Sequence, residues 1–494
     1  MSFRATVALA ACGATLALSG CEAARIHVGV PVATAVSARA ARPATCDRTI
    51  KCIKHIVIVI QENRSLDNLF GDPTGHLQGL RRHTSGIANC PSILEKPHIA
   101  LQPVKLEYPH DINHSWASSL KSFDGGRMDG FCYDAFYYDP PALPYAYVPD
   151  TPDEAGPYWE MARQYVVADE MFPTEFGASF TGHLTLVAGN DDLVPGNNAL
   201  VDLPSNEPWG CDAPPSTVSP YIHYNGVNRL YESDGPFPCL SEFKTMADTL
   251  DTAGVSWKYY APCVTPVGKC DPGGPLWSAF DAIQNVRNGA DWSKVVSPPS
   301  TVLSDARCAS HTCTFPNVAW VVPDVRNSDH AETRPYNSNK GPSWVASVVN
   351  AIHHNSTLWQ STAIVVVWDD YGGWSDLAVP PQSPRFGGTF VQGDFRGLGI
   401  RVPCLIISPF TYGLTSHVVH TQYEFGSILK FIEETFDLPV LGTLQEGYTD
   451  GRAASLSNAF DFSLDPRRGA DISAPYGGAT FLNQTRSPIA PDDE

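Results

Sequence analysis

Short, uninterrupted apolar runs constrain the fold of this 494-residue chain more than any other feature. Each run is five or six residues long and rich in branched or aromatic side chains, which favours strands because core helices are longer. The runs occupy 55–60, 255–260, 318–322, 363–368 and 404–408. Continuous apolar runs of this kind predict strands that are buried on both faces, as in a parallel sheet.

Amphipathic stretches between these runs predict helices. In SEFKTMADTLDTAG (241–254), apolar residues recur at helical spacing, Ser241 can cap the start and Gly254 can cap the end. The stretches 343–354 and 424–436 have the same period. Strands that alternate with helices predict an α/β fold with a mostly parallel central sheet between helix layers.

Composition limits the function and organisation of the chain. The formal net charge of -19 argues against nucleic-acid binding, because a polyanion would be repelled. Hydrophobic residues make up 43% of the chain, which is enough for a large core. Residues 190–317 carry many Pro, Gly, Asn and Cys residues and predict loop-rich insertions around a site.

The first residues resemble an export signal. One Arg precedes an apolar run that ends in LSGC, so residues 1–21 predict either a lipoprotein signal with a lipid on Cys21 or an ordinary signal cut slightly later. Both alternatives predict an exported protein, located in the periplasm or on the cell surface. The possible lipid anchor on Cys21 is the membrane contact that we expect. Residues 22–45 then predict a linker, 46–470 one domain and 471–494 a C-terminal tail.

Export makes the cysteine spacing interpretable as disulfides. Zinc ligation is the alternative, but the CxxC spacing of zinc sites is absent. Cys404 lies in an apolar run and predicts a buried free thiol. The predicted pairs are Cys46–Cys52, Cys90–Cys132, Cys211–Cys239, Cys263–Cys270 and Cys308–Cys313.

Polar residues follow two of the predicted strands directly. Glu62 and Asn63 follow the run at 55–60, and Asp369 and Asp370 follow the run at 363–368. Ligands bind beyond the carboxyl ends of strands in open α/β sheets, and oxygen donors of this kind suit a divalent cation. One such cluster is more often a helix cap or a turn, whereas two clusters on two buried strands favour a metal site.

Several segments, in order, resemble signatures of the bacterial phosphoesterase family, which contains non-zinc phospholipases C and a group of acid phosphatases. The segments are ENRSLDNLFG (62–71), DINHSW (111–116), WVVPDVRNSDHAE (320–332), WDDYGGWSDLAVPP (368–381), GLGIRVPCLIISPF (397–410) and SHVVHTQYEFGSILKFIEETFDLP (416–439). The resemblance covers most of the chain. It implies an alkaline-phosphatase-like fold and a metal-dependent hydrolase of phosphate esters.

The resemblance also implies roles for individual residues. In the family, the residues that match Glu62, Asn63, Asp369 and Asp370 hold one metal ion, which a nucleophilic hydroxyl also binds. Ser179, in the segment FGASFTGH, matches that hydroxyl. The segment departs from the family pattern, however, so Thr181 remains an alternative nucleophile.

Histidines matching the family's phosphate ligands are His114 and His330, and His183 and His420 are weaker candidates. His183 is also a candidate for a residue that positions a metal ligand from behind. His353 and His354 end an amphipathic stretch and are interpreted as helix-end residues.

Two further residues have structural interpretations. Asp376 could orient a ligand or a histidine from behind, although Leu377 stands where the family has His. Arg64 could bind substrate or pair with Asp67, and the structural role is favoured.

The predicted activity is that of an acid phosphatase or a phospholipase C acting through a phosphoserine intermediate. The expected substrate is a phosphate ester or a phospholipid head group. Larger phospholipase relatives carry extra C-terminal β modules, and their absence from this chain favours a phosphatase. Calcium, magnesium, manganese and iron all accept oxygen ligands, so the sequence does not identify the metal. A non-catalytic surface binding protein is the alternative function.

Overall fold

A computed structural model describes the chain in segments between residues 46 and 485. The described residues are 46–90, 93–133, 143–196, 199–201, 210–213, 218–224, 229–236, 239–241, 243–262, 277–307, 315–331, 339–381, 397–411 and 417–485.

Strands and helices alternate through most of this length. Within the described residues the strands are β1 (His55–Gln61), β2 (Ser85–Cys90), β3 (Ile93–Ala100), β4 (Gln102–Pro103), β5 (Ala146–Tyr147), β6 (Val166–Ala168), β7 (Met171–Phe172), β8 (Ala199–Val201), β9 (Val218–Tyr224), β10 (Arg229–Pro236), β11 (Trp257–Tyr260), β12 (Val295–Val296), β13 (Val318–Val321), β14 (Thr362–Trp368), β15 (Cys404–Ile407), β16 (Val418–Val419) and β17 (Tyr423–Glu424). The α-helices there are α1 (Leu66–Phe70), α2 (Trp116–Phe123), α3 (Gly156–Gln164), α4 (Ser179–Ala188), α5 (Met246–Ala253), α6 (Gln284–Arg287), α7 (Thr301–Arg307), α8 (Gly341–His354), α9 (Ser356–Trp359), α10 (Phe425–Phe436) and α11 (Gly478–Leu482).

An eight-stranded sheet forms the centre of the fold, in the order β12-β11-β13-β1-β14-β15-β6-β16. Neighbouring strands are parallel except where β15 pairs with β14 and β6, so β15 alone among these eight runs in the opposite direction. Helices flank this sheet, with α3 packed on α8 and α4 on α10. The predicted α/β class with a mostly parallel central sheet is therefore confirmed.

The five apolar runs all become strands of this sheet. In the central strand β1, the five residues 56–60 have no exposed surface. Burying one such side chain contributes about 1.5–3 kcal/mol relative to exposure, so this one run contributes on the order of 10 kcal/mol before chain entropy is subtracted. That gain explains why a short run can fix the position of the polar residues that follow it.

One helix start differs from the prediction. α5 begins after Thr245, whose side chain and that of Asp248 form a capping box, and not after Ser241. Leu240 instead pairs with Ile283 in a β-bridge, which keeps the preceding chain extended. The predicted end is correct, because Gly254 adopts the left-handed conformation there (φ 68°).

The region 190–317 supplies more than loops. It contains the three-stranded antiparallel sheet β8–β9–β10 and also two strands of the central sheet, β11 and β12. No helix among the described residues is long and apolar enough to cross a membrane.

Three of the predicted disulfides are confirmed, namely Cys46–Cys52, Cys90–Cys132 and Cys211–Cys239. Cys404 is a buried free thiol, as predicted. The other predicted pairs, Cys263–Cys270 and Cys308–Cys313, lie outside the described residues, as does Cys21.

Candidate active site

The two polar clusters that follow β1 and β14 lie side by side. These strands are parallel neighbours, and Gln61 pairs with Trp368 at their carboxyl ends. The next residues along each strand are therefore at the same edge of the sheet. All four predicted metal ligands there are buried, namely Glu62, Asn63, Asp369 and Asp370.

Backbone hydrogen bonds fix the two clusters to each other. Oδ1 of Asp369 accepts from the backbone N–H of Asn63 at 2.9 Å and from that of Asp370 at 2.8 Å. Asn63 has a left-handed backbone (φ 58°), a conformation that Asn tolerates better than most residues. A Cβ at Gly372 would lie 2.0 Å from the Asn63 carbonyl oxygen, so the close approach of the two loops requires glycine.

Ser179 meets both clusters from a third element. It is the first residue of α4, and its Oγ lies 3.2 Å from Oδ1 of Asn63 and 3.4 Å from Oδ2 of Asp370. The helix N-terminus favours negative charge at this position. The alternative nucleophile, Thr181, donates its hydroxyl to the carbonyl oxygen of Ala178 at 2.8 Å, within its own helix. The structure therefore brings Ser179, and not Thr181, to these ligands.

His114 orients the Asn63 amide. Its Nδ1 lies 2.7 Å from the carbonyl oxygen of Ile112, which requires an N–H there and leaves Nε2 as an acceptor. Nε2 lies 2.8 Å from the amide nitrogen of Asn63. The amide nitrogen thus points to His114, so the amide oxygen points to Ser179.

His183 contacts the other half of the cluster. Its Nε2 lies 3.0 Å from Oε1 of Glu62 and 3.8 Å from Oδ2 of Asp369. Burial lowers the pKa of His183 to about 4, so the ring is neutral near pH 7 and donates Nε2–H to Glu62. This contact fits the predicted role of His183 as a residue that positions a ligand.

Several buried carboxyl groups lie close together at this edge of the sheet. Burial raises the pKa of Asp369 well above its usual value, and the neighbouring Glu62 carboxylate raises it further. Oδ2 of Asp369 accepts no hydrogen bond from the described donors. Ligand atoms of Glu62, His183 and Asp369 lie within 4.8 Å of one another. The oxygens of Glu62 and Asp369, together with those of Asn63 and Asp370, are a donor set that fits a divalent cation.

His330 lies beside His114. Their ring centroids are 6.2 Å apart, and ligand atoms of Asp111, His114 and His330 lie within 4.8 Å of one another. Nδ1 of His330 contacts the carbonyl oxygen of Ala331 at 2.9 Å, which requires an N–H on that nitrogen. The two histidines predicted as phosphate ligands are therefore neighbours in the structure.

Trp277 is a site residue that the sequence reasoning missed. Its buried ring stacks near those of His183 and His330, with centroid separations of 6.3 and 6.1 Å and interplanar angles of 18° and 28°. It lies in the region where the sequence shows no helical or strand period, so no signal identified it.

Arg64 has a structural position, but it does not pair with Asp67. Its guanidinium donates to the carbonyl oxygens of Asp329 and Leu106 at 2.8 and 2.7 Å and to Oδ1 of Asn68 at 3.1 Å. It also lies 4.9 Å from the ring centroid of Trp374. These contacts tie the loop after β1 to three other segments.

Asp376 and Asp67 share a different partner, Arg401. The Arg401 Nη2 lies 3.0 Å from Oδ1 of Asp376 and 3.2 Å from Oδ1 of Asp67, and all three side chains are buried. His83 closes this network, with Nδ1 2.7 Å from Oδ2 of Asp67. Asp376 thus holds the loop after β14 through an arginine, whereas the sequence predicted a ligand or a histidine as its partner.

His420 lies apart from the cluster. Its Nδ1 contacts Asp169 at 2.9 Å, and its side chain is 36% exposed. His353 and His354 are the last two residues of α8, as their helix-end interpretation predicted.

Comparisons with known proteins agree on one family. A model described as the phosphoesterase family matches residues 53–439. Phospholipase C A of Mycobacterium tuberculosis is 27% identical over 486 residues, covering 88% of this chain and 82% of the relative. Phospholipase C B of the same organism is 25% identical over 466 residues, covering 85% and 80%. The non-hemolytic phospholipase C of Burkholderia pseudomallei is 24% identical and covers 84% and 60%.

Among solved structures, a protein in the alkaline phosphatase superfamily from Vibrio parahaemolyticus is similar at 11% identity. The structural alignment covers 82% of this chain and 71% of that protein, with a TM-score of 0.36. At that score the likeness does not by itself establish a shared fold.

Proposed function

Because the chain belongs to the phosphoesterase family and is a phosphoric ester hydrolase, we propose that Ser179 is its nucleophile and that one divalent cation assists it. The single observation that carries this proposal is the position of Ser179 Oγ, 3.2 Å from Asn63 Oδ1 and 3.4 Å from Asp370 Oδ2. A hydroxyl held between an amide oxygen and a carboxylate can be oriented and deprotonated for nucleophilic attack.

The cation would be held by Glu62, Asn63, Ser179, Asp369 and Asp370. When bound, such an ion lowers the pKa of a coordinated hydroxyl and neutralises charge on a phosphoryl oxygen. Its identity among calcium, magnesium, manganese and iron stays open, because all of them accept oxygen donors.

The side chains divide the reaction between them. Ser179 Oγ attacks phosphorus, Asp370 would accept the hydroxyl proton, and the bond from phosphorus to the leaving oxygen breaks while that oxygen takes a proton from solvent. The resulting phosphoserine is then hydrolysed by water, which regenerates the hydroxyl. His114 keeps Asn63 oriented, and His330, when both of its ring nitrogens are protonated, would donate a hydrogen bond from Nε2 to a nonbridging phosphoryl oxygen. His183, neutral and buried, holds Glu62 in position.

The family suggests two classes of substrate for this enzyme. Phosphate monoesters and phospholipids both present a phosphoryl group, and the relatives named above are phospholipases C. A panel of p-nitrophenyl phosphate against phosphatidylcholine would distinguish a phosphatase from a phospholipase C. Addition and removal of a chelator in both assays would test the cation.

Substitution of the nucleophile is the decisive experiment. Ser179→Ala should lower the turnover number about a thousandfold or more, because only binding and electrostatics remain. Thr181→Ala is the matched control and should have a much smaller effect. Acid-quenched enzyme incubated with ³²P-labelled substrate should carry the label on residue 179. Full activity of Ser179→Ala, or label on Thr181, would refute the assignment.

Export is the second part of the proposal. Three disulfides fit an oxidising compartment, and the N-terminal residues resemble an export signal. We infer that Cys21 carries a lipid. Loss of palmitate labelling in Cys21→Ala is expected, and unchanged labelling would contradict it.

A further inference from the structure

We propose that His353, His354 and Asp471 form a second metal site, of the zinc type, at the opposite end of the fold from the candidate active site. Nδ1 of His353 lies 3.1 Å from Oδ1 of Asp471, and Nε2 of His354 lies 2.7 Å from the same oxygen. The three ligand atoms lie within 4.8 Å of one another. Two imidazole nitrogens and one carboxylate oxygen are a donor set that Zn²⁺ prefers.

The two contacts between a histidine nitrogen and the Asp471 oxygen are close to the spacing of ligands around a tetrahedral ion. Ligands about 2.0–2.1 Å from a tetrahedral zinc ion stand about 3.3 Å from each other. The observed contacts of 3.1 and 2.7 Å would therefore need to open by only a few tenths of an ångström. Binding would use the lone pair of each nitrogen, so a neutral ring that now donates to Asp471 would carry its proton on the other ring nitrogen, and a doubly protonated ring would release one proton to solvent.

The segment that carries Asp471 is held against α8. One turn before the histidines, the side chain of Asn350 donates to the carbonyl oxygen of Ile472 at 2.9 Å and accepts from its N–H at 2.9 Å. This pair of hydrogen bonds fixes the residue next to Asp471. The carboxylate therefore loses little further freedom when it binds an ion.

The ring of His353 is also held in place. Trp359 lies edge-on to it, with centroids 5.6 Å apart and an interplanar angle of 72°. Gly469 packs so closely that an added Cβ would lie 2.2 Å from Cδ2 of the ring. His354 and Asp471 are more than half exposed. Solvent can therefore supply the remaining ligand of the ion.

The proposed site is remote from the active-site residues. α8 begins beside the candidate active site, where the carbonyl oxygen of Gly341 accepts from Gln61 at 3.5 Å. Its 14 residues span about 21 Å before His354 ends the helix. An ion there would clamp the segment that follows the last strands onto α8, which is a stabilising role and not a catalytic one.

Zinc titration of the full chain tests the proposal, with Zn²⁺ alone as the probe. His354→Gln and Asp471→Asn should each bind one equivalent of zinc fewer than the wild type, or bind that equivalent at least about tenfold more weakly. Loss of a residue that only positions a metal ligand already lowers metal affinity by about 10- to 100-fold. His76→Gln, which removes an exposed histidine elsewhere, is the matched control and should bind zinc as the wild type does. Neither test variant should change phosphate-ester hydrolysis, because neither residue contacts the active-site cluster.

Thermal unfolding gives an independent readout. Zinc should raise the melting temperature of the wild type and of His76→Gln by a larger amount than that of His354→Gln. Equal stoichiometry, affinity and melting shift in all four proteins would overturn the proposal, and so would an effect of zinc confined to the active-site residues.

Discussion

The buried network around Arg401 should make a large and pH-dependent contribution to stability. Arg401 joins Asp67, which follows β1, to Asp376, which follows β14. Its Nη1 also donates to the carbonyl oxygens of Arg81 and Asp169 at 2.8 and 3.0 Å. The substitution Arg401→Met retains the length and apolar volume of the stem and removes the charge and every one of these donors.

The magnitude follows from the burial of the partners. Asp67 and Asp376 are 2% and 1% exposed, so solvent cannot replace the lost arginine. Removing one partner of a buried ion pair costs about 3–5 kcal/mol, and here two carboxylates lose it together. We therefore expect Arg401→Met to lower the free energy of unfolding by about 4 kcal/mol at pH 8.

The loss should be smaller in acid. Burial already raises the pKa of Asp376 to about 6 with Arg401 in place. Without Arg401 the carboxyl is still more easily protonated, and protonation removes the unpaired charge. A carboxyl whose folded-state pKa is raised destabilises the fold as pH rises through that pKa. The deficit of the variant should therefore grow between pH 5 and pH 8.

Urea unfolding followed by tryptophan fluorescence at pH 5 and pH 8 measures this difference. The triple variant Arg401→Met, Asp67→Asn, Asp376→Asn is the control, and it should regain part of the lost stability because no buried charge remains. Hydrolysis should fall as well, since both loops of the candidate site are tied to Arg401. A loss below about 1 kcal/mol at pH 8, or a loss independent of pH, would refute the reasoning.

Three further predictions concern single residues near the site. His83→Gln should destabilise the protein in acid and have less effect in alkali, because the hydrogen bond to Asp67 raises the pKa of His83 and the stability that this bond gives is lost as pH rises through that pKa. Equal unfolding midpoints of the variant and the wild type at pH 5 would contradict this. Burial raises the pKa of Asp329 to about 6, so the wild type should lose stability as pH rises from about 4 to about 6, and Asp329→Asn should lessen this loss. An unchanged pH profile of urea midpoints would count against it. Trp277→Leu should lower turnover about tenfold while Trp277→Phe retains most of it, because each aromatic pair with a site histidine contributes about 0.5–1.5 kcal/mol; equal rates for the two variants would remove the positioning role.

Much of the fold was predictable because its cause is local. The apolar run before Glu62 and the one before Asp369 are each long enough for one strand and too apolar for the surface. Their ends were therefore evident from sequence, and the edge of the sheet at which both ends meet follows from parallel pairing. Gly254 likewise ends α5 for a local reason, because glycine adopts the left-handed cap without strain.

Tertiary structure decided which partner each polar side chain has. Asp67 and Arg401 are 334 residues apart in sequence, and the backbone of Asp67 meets the side chain of Asp376 across 309 residues. No local period links such positions. The same is true of Trp277 beside His183 and His330, and of Asp471 beside the end of α8.

The sequence by itself therefore determined five strands of the central sheet, the ends at which polar residues collect and the chemical class of those residues. Which atom of the Asn63 amide faces Ser179, and which arginine neutralises Asp376, depended on the folded chain. The physical reason is range. Burial of an apolar run is decided by the residues within it, whereas a hydrogen bond or an ion pair is decided by the few atoms within about 3 Å, and distant segments bring those atoms together.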